Sequence, residues 1–102
     1  MHIIARPILR SFCQMHPDAG GWLDAWWKNV SRARWEGPEN VKAAYNSVDR
    51  VGECFVFDVR RNRYRLIVKI VFAYQQNDGT VFIKHVLTHA DYNRGHWKRD
   101  CE

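Results

Sequence analysis

After Asn46 the spacing of apolar residues changes from three-and-four to two, and that switch limits the folds open to this chain. Ahead of it, from Ala19 to Arg34, Trp22, Leu23, Trp26, Trp27, Val30 and Ala33 recur at helical intervals and mark an amphipathic helix. Behind it, Cys54 to Val59, Tyr64 to Tyr74 and Thr80 to Thr88 are rich in β-branched and aromatic residues, as strands are. Arg60 to Arg63 joins the first two, with Asn62 able to take a left-handed turn conformation. Asn77-Asp78-Gly79 supplies the turn between the second and third. Two short connections imply an antiparallel meander. Helices must then cover one of its faces, which gives an α+β domain.

The front half carries its own punctuation. His2 to Ile4 is a short apolar stretch suited to an opening strand, and Pro7 fits the first turn of a helix running to about Met15. His16-Pro17-Asp18 ends that helix, and Asp18 is a plausible N-cap for the next. Gly37-Pro38 breaks the helical pattern, and Pro38 to Tyr45 forms a further short helix with Val41, Ala44 and Tyr45 inward. With 102 residues, 46% hydrophobic and 14% aromatic, the chain is expected to fold as a single domain over residues 1–102. No apolar run reaches the eighteen or so residues of a membrane span, and the first ten residues lack a secretory core. Cys13, Cys54 and Cys101 are odd in number and scattered, so neither a disulfide framework nor a CxxC site is expected, and a reducing cytoplasm is.

The formal net charge of +5 favours an acidic partner without distinguishing nucleic acid from other polyanions. Between Val59 and Asn77 there is no Asp or Glu, while Arg60, Arg61, Arg63, Arg65 and Lys69 crowd in. Alternation along the second strand puts Leu66, Val68, Ile70 and Phe72 on one wholly apolar face, expected to pack on the helices. Arg65 and Lys69 are therefore expected to project from an opposite, open face. The third strand is less clear. His85 and His89 share a parity with Val81, Ile83 and Leu87, and Lys84 shares one with Phe82 and Val86, so neither side is cleanly polar. A bulge, or an early strand end near Thr88, would reorient His89.

Blander readings compete with each of these. An arginine-rich turn is commonly a solvated loop, and the helical spacing of Trp22, Trp26 and Trp27 assigns them to a core rather than to a base-stacking platform. His2 and His16 carry no pattern. His85 and His89, four residues apart on an extended strand, would lie about 13 Å apart, too far to share one Zn²⁺ through bonds of about 2 Å. No metal ligand set is expected. No GxxxxGK[ST], GxGxxG or HExxH occurs, and no cofactor is implied.

A resemblance raises the basic hairpin above the bland reading. Met1-His2-Ile3-Ile4-Ala5-Arg6, Leu9 to Phe12, His16 to Ala19, Leu23 to Trp27, Asn62-Arg63-Tyr64-Arg65-Leu66 and Thr88-His89-Ala90-Asp91-Tyr92-Asn93 resemble the HigB-type toxins of the RelE/ParE-like superfamily. The resemblance implies a RelE-like compact domain, with an antiparallel sheet and N-terminal helices on one face. It further implies a cytoplasmic toxin of a type II toxin–antitoxin module that cleaves mRNA on the ribosome. Its partner would be a HigA-like helix-turn-helix antitoxin, through which alone it meets operator DNA. One stretch departs from the pattern: the family usually has Asn-x-Gly-Gly-Asn where this chain has Asp58-Val59-Arg60-Arg61-Asn62.

The chemistry can be argued without the family. Cutting RNA through its own 2′-OH needs an acceptor for that proton, a donor for the leaving 5′-oxygen, and cations for the charge gathering on phosphorus. His89 is the expected general base or acid, with Tyr92 as its partner or as a stacking surface. Arg65 is expected to clamp the scissile phosphate, because its fork suits two phosphate oxygens. Lys69 and Lys84 are second choices for that task, and His85 is a reserve proton carrier. Arg60, Arg61 and Arg63 are expected to hold flanking RNA backbone, as Lys84 could. Two alternatives lack the chemistry: a ParE-like gyrase inhibitor acting by contact, and a non-catalytic RNA-binding module.

Overall fold

A computed structural model describes residues 1–102 and shows a five-stranded sheet in the order β1-β5-β4-β3-β2. The strands are β1 (His2–Ile4), β2 (Asp49–Val51), β3 (Cys54–Val59), β4 (Tyr64–Val71) and β5 (Thr80–Thr88). The helices are α1 (Arg6–Met15), α2 (Gly20–Arg32), α3 (Pro38–Ala44) and α4 (His89–Arg94), with 3-10 turns at Pro17–Ala19 and His96–Cys101. β3, β4 and β5 form the expected antiparallel meander. β4 stops at Val71 rather than Tyr74, because Tyr74 bridges to Asn77 and closes the turn instead.

The sheet as a whole is mixed, which corrects the expectation of an antiparallel one. β1 lies parallel to β5, with Ile3 beside Val81. Three residues of apolar sequence fix neither partner nor direction. Tertiary contacts do, since the Met1 ammonium donates to the carbonyls of Ser31 and Ala33 at the end of α2, both at 3.1 Å. At the other edge, β2 pairs with β3 through Asp49, Arg50 and Val51, residues too polar to announce a strand.

The main core lies between the helices and one face of the sheet. Leu23, Trp26 and Val30 of α2, Leu9 of α1 and Val41 of α3 meet Phe55, Phe57, Leu66, Val68, Val81, Ile83 and Val86. Burying each of the larger side chains contributes roughly 1.5–3 kcal/mol, so this layer fixes the sheet on which the basic residues stand. Trp26 is sealed in, whereas Trp22 and Trp27 are only half-buried at the edges of the helix face, and Ala44 is exposed. Asp18 does not cap α2. It sits inside the 3-10 turn, and its carboxylate accepts the Tyr64 hydroxyl at 2.7 Å. Arg60 and Arg63 approach the same carboxylate at 3.6 and 3.5 Å, so Asp18 ties the helical layer to the β3–β4 turn.

A bulge resolves the ambiguous pattern of β5. Ile67 pairs with His85 but the next residue, Val68, pairs with Ile83, so Lys84 is the extra residue and the parity inverts there. Val81, Ile83 and Val86 can then all enter the main core. On the opposite face the rungs read Asp58–Arg65–Leu87, Val56–Ile67–His85 and Cys54–Lys69–Phe82.

That opposite face is not open. Cys54, Val56 and Ile67 form a second small core with Trp97 and Cys101, brought over by the C-terminal 3-10 turn. Cys54 and Cys101 are joined in a disulfide, which corrects the expectation that no cysteines pair. They lie 47 positions apart, a separation from which no local spacing rule predicts a bridge. Cys13 alone is free.

Candidate active site on the second sheet face

Arg65, the second residue of β4, leaves the strand on this face but is only 9% exposed, which corrects the expectation of a freely projecting cation. Its Nε meets the Asp58 carboxylate at 3.1 Å across the rung, and its Nη1 donates to the carbonyls of Asn62 at 2.8 Å and Tyr64 at 3.3 Å. Its guanidinium carbon lies 4.9 Å from the centre of the Tyr92 ring. Four short connections hold one side chain. Arg65 is thus already committed to a carboxylate and to a ring, and it presents Tyr92 rather than a bare fork to solvent.

Tyr92 arrives there because β5 ends at Thr88. The Thr88 hydroxyl accepts the Asp91 N–H at 3.2 Å and caps α4, which turns the chain back over the sheet. Gly95 then ends the helix in a left-handed conformation with φ 76°. The Tyr92 ring stacks on Trp97 at 5.0 Å between centroids, and the Trp97 indole N–H donates to the Tyr92 carbonyl at 2.9 Å. With Arg65 and Trp97 against it the ring is fixed, and its hydroxyl has no protein partner. His89 opens the same helix, exposed and without a hydrogen bond, three residues before Tyr92. That spacing sets their Cβ atoms about 5–6 Å apart on the helix surface.

His85 lies on the same face, diagonal to Arg65 in the ladder, about 7–8 Å away between Cα atoms. Its Nε2 is 2.6 Å from the Asp100 carboxylate. The hydrogen bond from His85, followed by its charge, lowers the Asp100 carboxyl below the usual range. The pair stands in an open groove of about 490 Å³ with Asp91, Arg94, His96 and Arg99. Lys69 sits farther along β4 and pairs with Glu53 at 3.5 Å. Lys84, bulged and exposed, extends over the Phe82 ring.

The basic turn forms a separate rim. Arg60, Arg61 and Asn62 all take left-handed conformations, with φ of 50°, 54° and 72°. The first two stand where the resemblance expects glycines, so arginine here holds a glycine-like turn at a cost on the order of 1 kcal/mol per residue. The turn is supported where Arg60 donates to the Asp18 carbonyl at 3.0 Å. Arg60, Arg61, Asn62 and Arg63 line a shallow concavity with Trp22.

The structure therefore gathers Arg65, Tyr92 and His89 at the end of the sheet that the basic turn closes, with His85 one diagonal step inward and Lys69 farther along β4. Asp58, Trp97 and Asp100 belong to the same constellation and were not singled out from sequence. Asp58 could have been found, since a four-residue connection between Val59 and Tyr64 places it opposite Arg65. Trp97 and Asp100 follow the last periodic segment and carried no signal.

Comparison with known proteins matches residues 20–95 to the HigB_toxin family, described as the RelE-like toxic component of a toxin–antitoxin system. The chain belongs to this family. The match includes Arg65, His85, His89 and Tyr92 and ends before Trp97, Asp100 and Cys101. Relatives of this HigB-family chain include the mRNA interferase toxin HigB of Escherichia coli K12, 26% identical over 96 residues covering 91% of this chain and 88% of the relative. The mRNA interferases HigB of Escherichia coli O157:H7 and Shigella flexneri match over the same length at the same identity. As a toxin of such a system, the chain has an antitoxin for a partner.

Proposed function

We propose that this chain is an endoribonuclease that cuts mRNA on the ribosome by attack of the RNA's own 2′-OH, leaving a 2′,3′-cyclic phosphate. The supporting observation is a convergence on one sheet face: a fixed tyrosine ring backed by Arg65, with His89 one helical turn away and His85 diagonal to Arg65 in the ladder. The names of the Escherichia coli and Shigella relatives support mRNA as the substrate.

The residues divide by what they can reach. His89 is exposed and unpartnered, free to take the 2′ proton or to protonate the leaving 5′-oxygen, and His85 is suited to the complementary transfer. Tyr92 offers a hydroxyl at the edge of a clamped ring, or a surface for a base. Arg65 backs that ring with positive charge and stiffens it, and its Nη2 is the one guanidinium nitrogen without a protein partner. Lys69 and Lys84 add charge for the phosphorane, while Arg60, Arg61 and Arg63 hold the flanking backbone. We assign the antitoxin to the HigA-like helix-turn-helix class, contact with operator DNA to that antitoxin, and, because the proposed mRNA substrate is met on the ribosome, the site of action to the cytoplasm, where the Cys54–Cys101 pair meets a reducing environment.

Primer extension on cellular mRNA after induced expression tests this reading. Discrete cuts at in-frame positions, absent when His89 is replaced by Ala, are expected. Growth arrest with DNA damage and uncut mRNA would instead indicate a ParE-like contact inhibitor, and arrest with neither would indicate a non-catalytic RNA binder.

A further inference from the structure

Asp100 and His85 make the shortest contact in the molecule between a carboxylate and a basic side chain, at 2.6 Å, and Asp100 lies between two anchored residues, Trp97 and Cys101. Its neighbour Cys101 is bonded to Cys54 at the start of β3, and the Glu53 N–H donates to the Cys101 carbonyl at 2.7 Å. That carbonyl comes so close to the β2–β3 turn that a Cβ on Gly52 would stand 2.2 Å from it, and Gly52 is left-handed with φ 56°. On the other side Trp97 is buried and stacked on Tyr92. A surface carboxylate on a frayed terminus would not be held this way.

The contact has a defined chemical consequence. A carboxylate on Nε2 keeps a proton on that nitrogen and leaves Nδ1, which has no protein partner, as the nitrogen that gains and loses protons. We propose that Asp100 is a positioning residue for the nuclease site: it fixes the Nε2–H form of His85 so that Nδ1 faces the groove and exchanges the proton of RNA cleavage. This rests on the nuclease reading above and extends it to a residue beyond the family match. The other charged groups facing His85 are Lys84 beside it on β5, Lys69 on β4, Asp91 and Arg94 on α4, and His96 and Arg99 on the C-terminal turn. Among them Asp91 pairs with Arg94 and Lys69 with Glu53, so Asp100 is the one carboxylate in contact with the ring.

The test pairs a spectrum with a rate. In wild-type protein carrying ¹⁵N-labelled histidine, long-range ¹H–¹⁵N correlations should show His85 protonated on Nε2 when neutral, and Asp100→Asn should lose that preference. Single-turnover cleavage of ribosome-bound mRNA by Asp100→Asn should fall about 10–100-fold, short of the loss on removing an acid–base group outright. Its pH–rate profile should move to lower pH, and Asp100→Glu should restore part of both. In a His85→Ala background the Asp100→Asn change should cost nothing further, whereas a merely structural Asp100 would cost the same in either background. A neutral wild-type ring protonated on Nδ1, or an Asp100→Asn enzyme with unaltered rate and profile, overturns the proposal. Wild-type protein that cuts no RNA, yet shows the Nε2–H ring responding to Asp100→Asn, would fault the nuclease reading and with it the catalytic part of this one, leaving the positioning contact itself established.

Discussion

Replacing Arg65 by Ala should unfold this domain far more readily than replacing Arg61, four residues away in the same basic run. Arg61 is exposed and pairs with nothing, and a surface substitution of that kind changes stability by about 0.5 kcal/mol at most. Arg65 gives up an ion pair with Asp58, two hydrogen bonds to carbonyls and its contact with Tyr92. Hydrogen bonds to a charged group are worth about 1.5–3 kcal/mol each, and a partly desolvated cation–π contact adds about 1 kcal/mol. These do not sum, because the Asp58 side chain is 25% exposed and recovers water once its partner is gone. A net loss of about 3 kcal/mol is the reasoned figure, which for a domain of this size lowers Tm by on the order of 15 °C. Urea denaturation of wild type, Arg65→Ala and Arg61→Ala under one condition measures it. A loss below about 1 kcal/mol for Arg65→Ala, or equal losses for the two variants, would refute the view that Arg65 is a buried support before it is a phosphate ligand.

The Cys54–Cys101 bond closes a 47-residue interval, for which the chain-entropy relation gives roughly 4 kcal/mol; urea midpoints that do not change on adding reductant would contradict it. Asp18 is held below the ordinary carboxylate range, first by the Tyr64 hydroxyl and then by Arg63 and Arg60. Because its folded value is depressed, its contribution is complete above the unfolded carboxylate value and is lost as pH falls through the folded one. Asp18→Asn should therefore flatten the acid side of the stability–pH curve, and an unchanged acid limb in urea melts between about pH 2 and 5 would disprove the linkage. Arg60→Ala and Arg61→Ala should each reduce the salt slope of RNA binding by about 0.7, as expected for one lost phosphate contact on a single strand, with a slope equal to wild type as the opposing result.

How far the sequence could be read depended on how local each cause was. Strands β3 and β5 were legible to the residue because alternation and turn chemistry act over a few positions. Arg65 was placed on the correct face of β4 by the same alternation, but its burial was not foreseen. The cover comes from the Tyr92 ring, which the short helix after β5 folds back over the sheet and which Trp97 backs from a segment with no period of its own. The third strand looked ambiguous because a single extra residue, Lys84, inverts its parity, and no local signal marks a bulge. Thr88 did mark the strand end that turns His89 away from the sheet, though its role as a helix cap needed the structure. Asp18 shows the opposite error: a good capping residue in a good place was claimed by a tyrosine and two arginines from the far side of the chain. The His85–Asp100 pair was out of reach for the same reason, since only the folded C-terminal turn brings the two together.

The central claim is that histidine on this sheet face moves the protons of RNA cleavage. Its most direct test is the single-turnover rate of His89→Ala on ribosome-bound mRNA, with binding measured alongside. A fall of roughly 10²–10⁴-fold at near wild-type affinity is expected, whereas a variant that binds and cuts like the wild type would contradict the account.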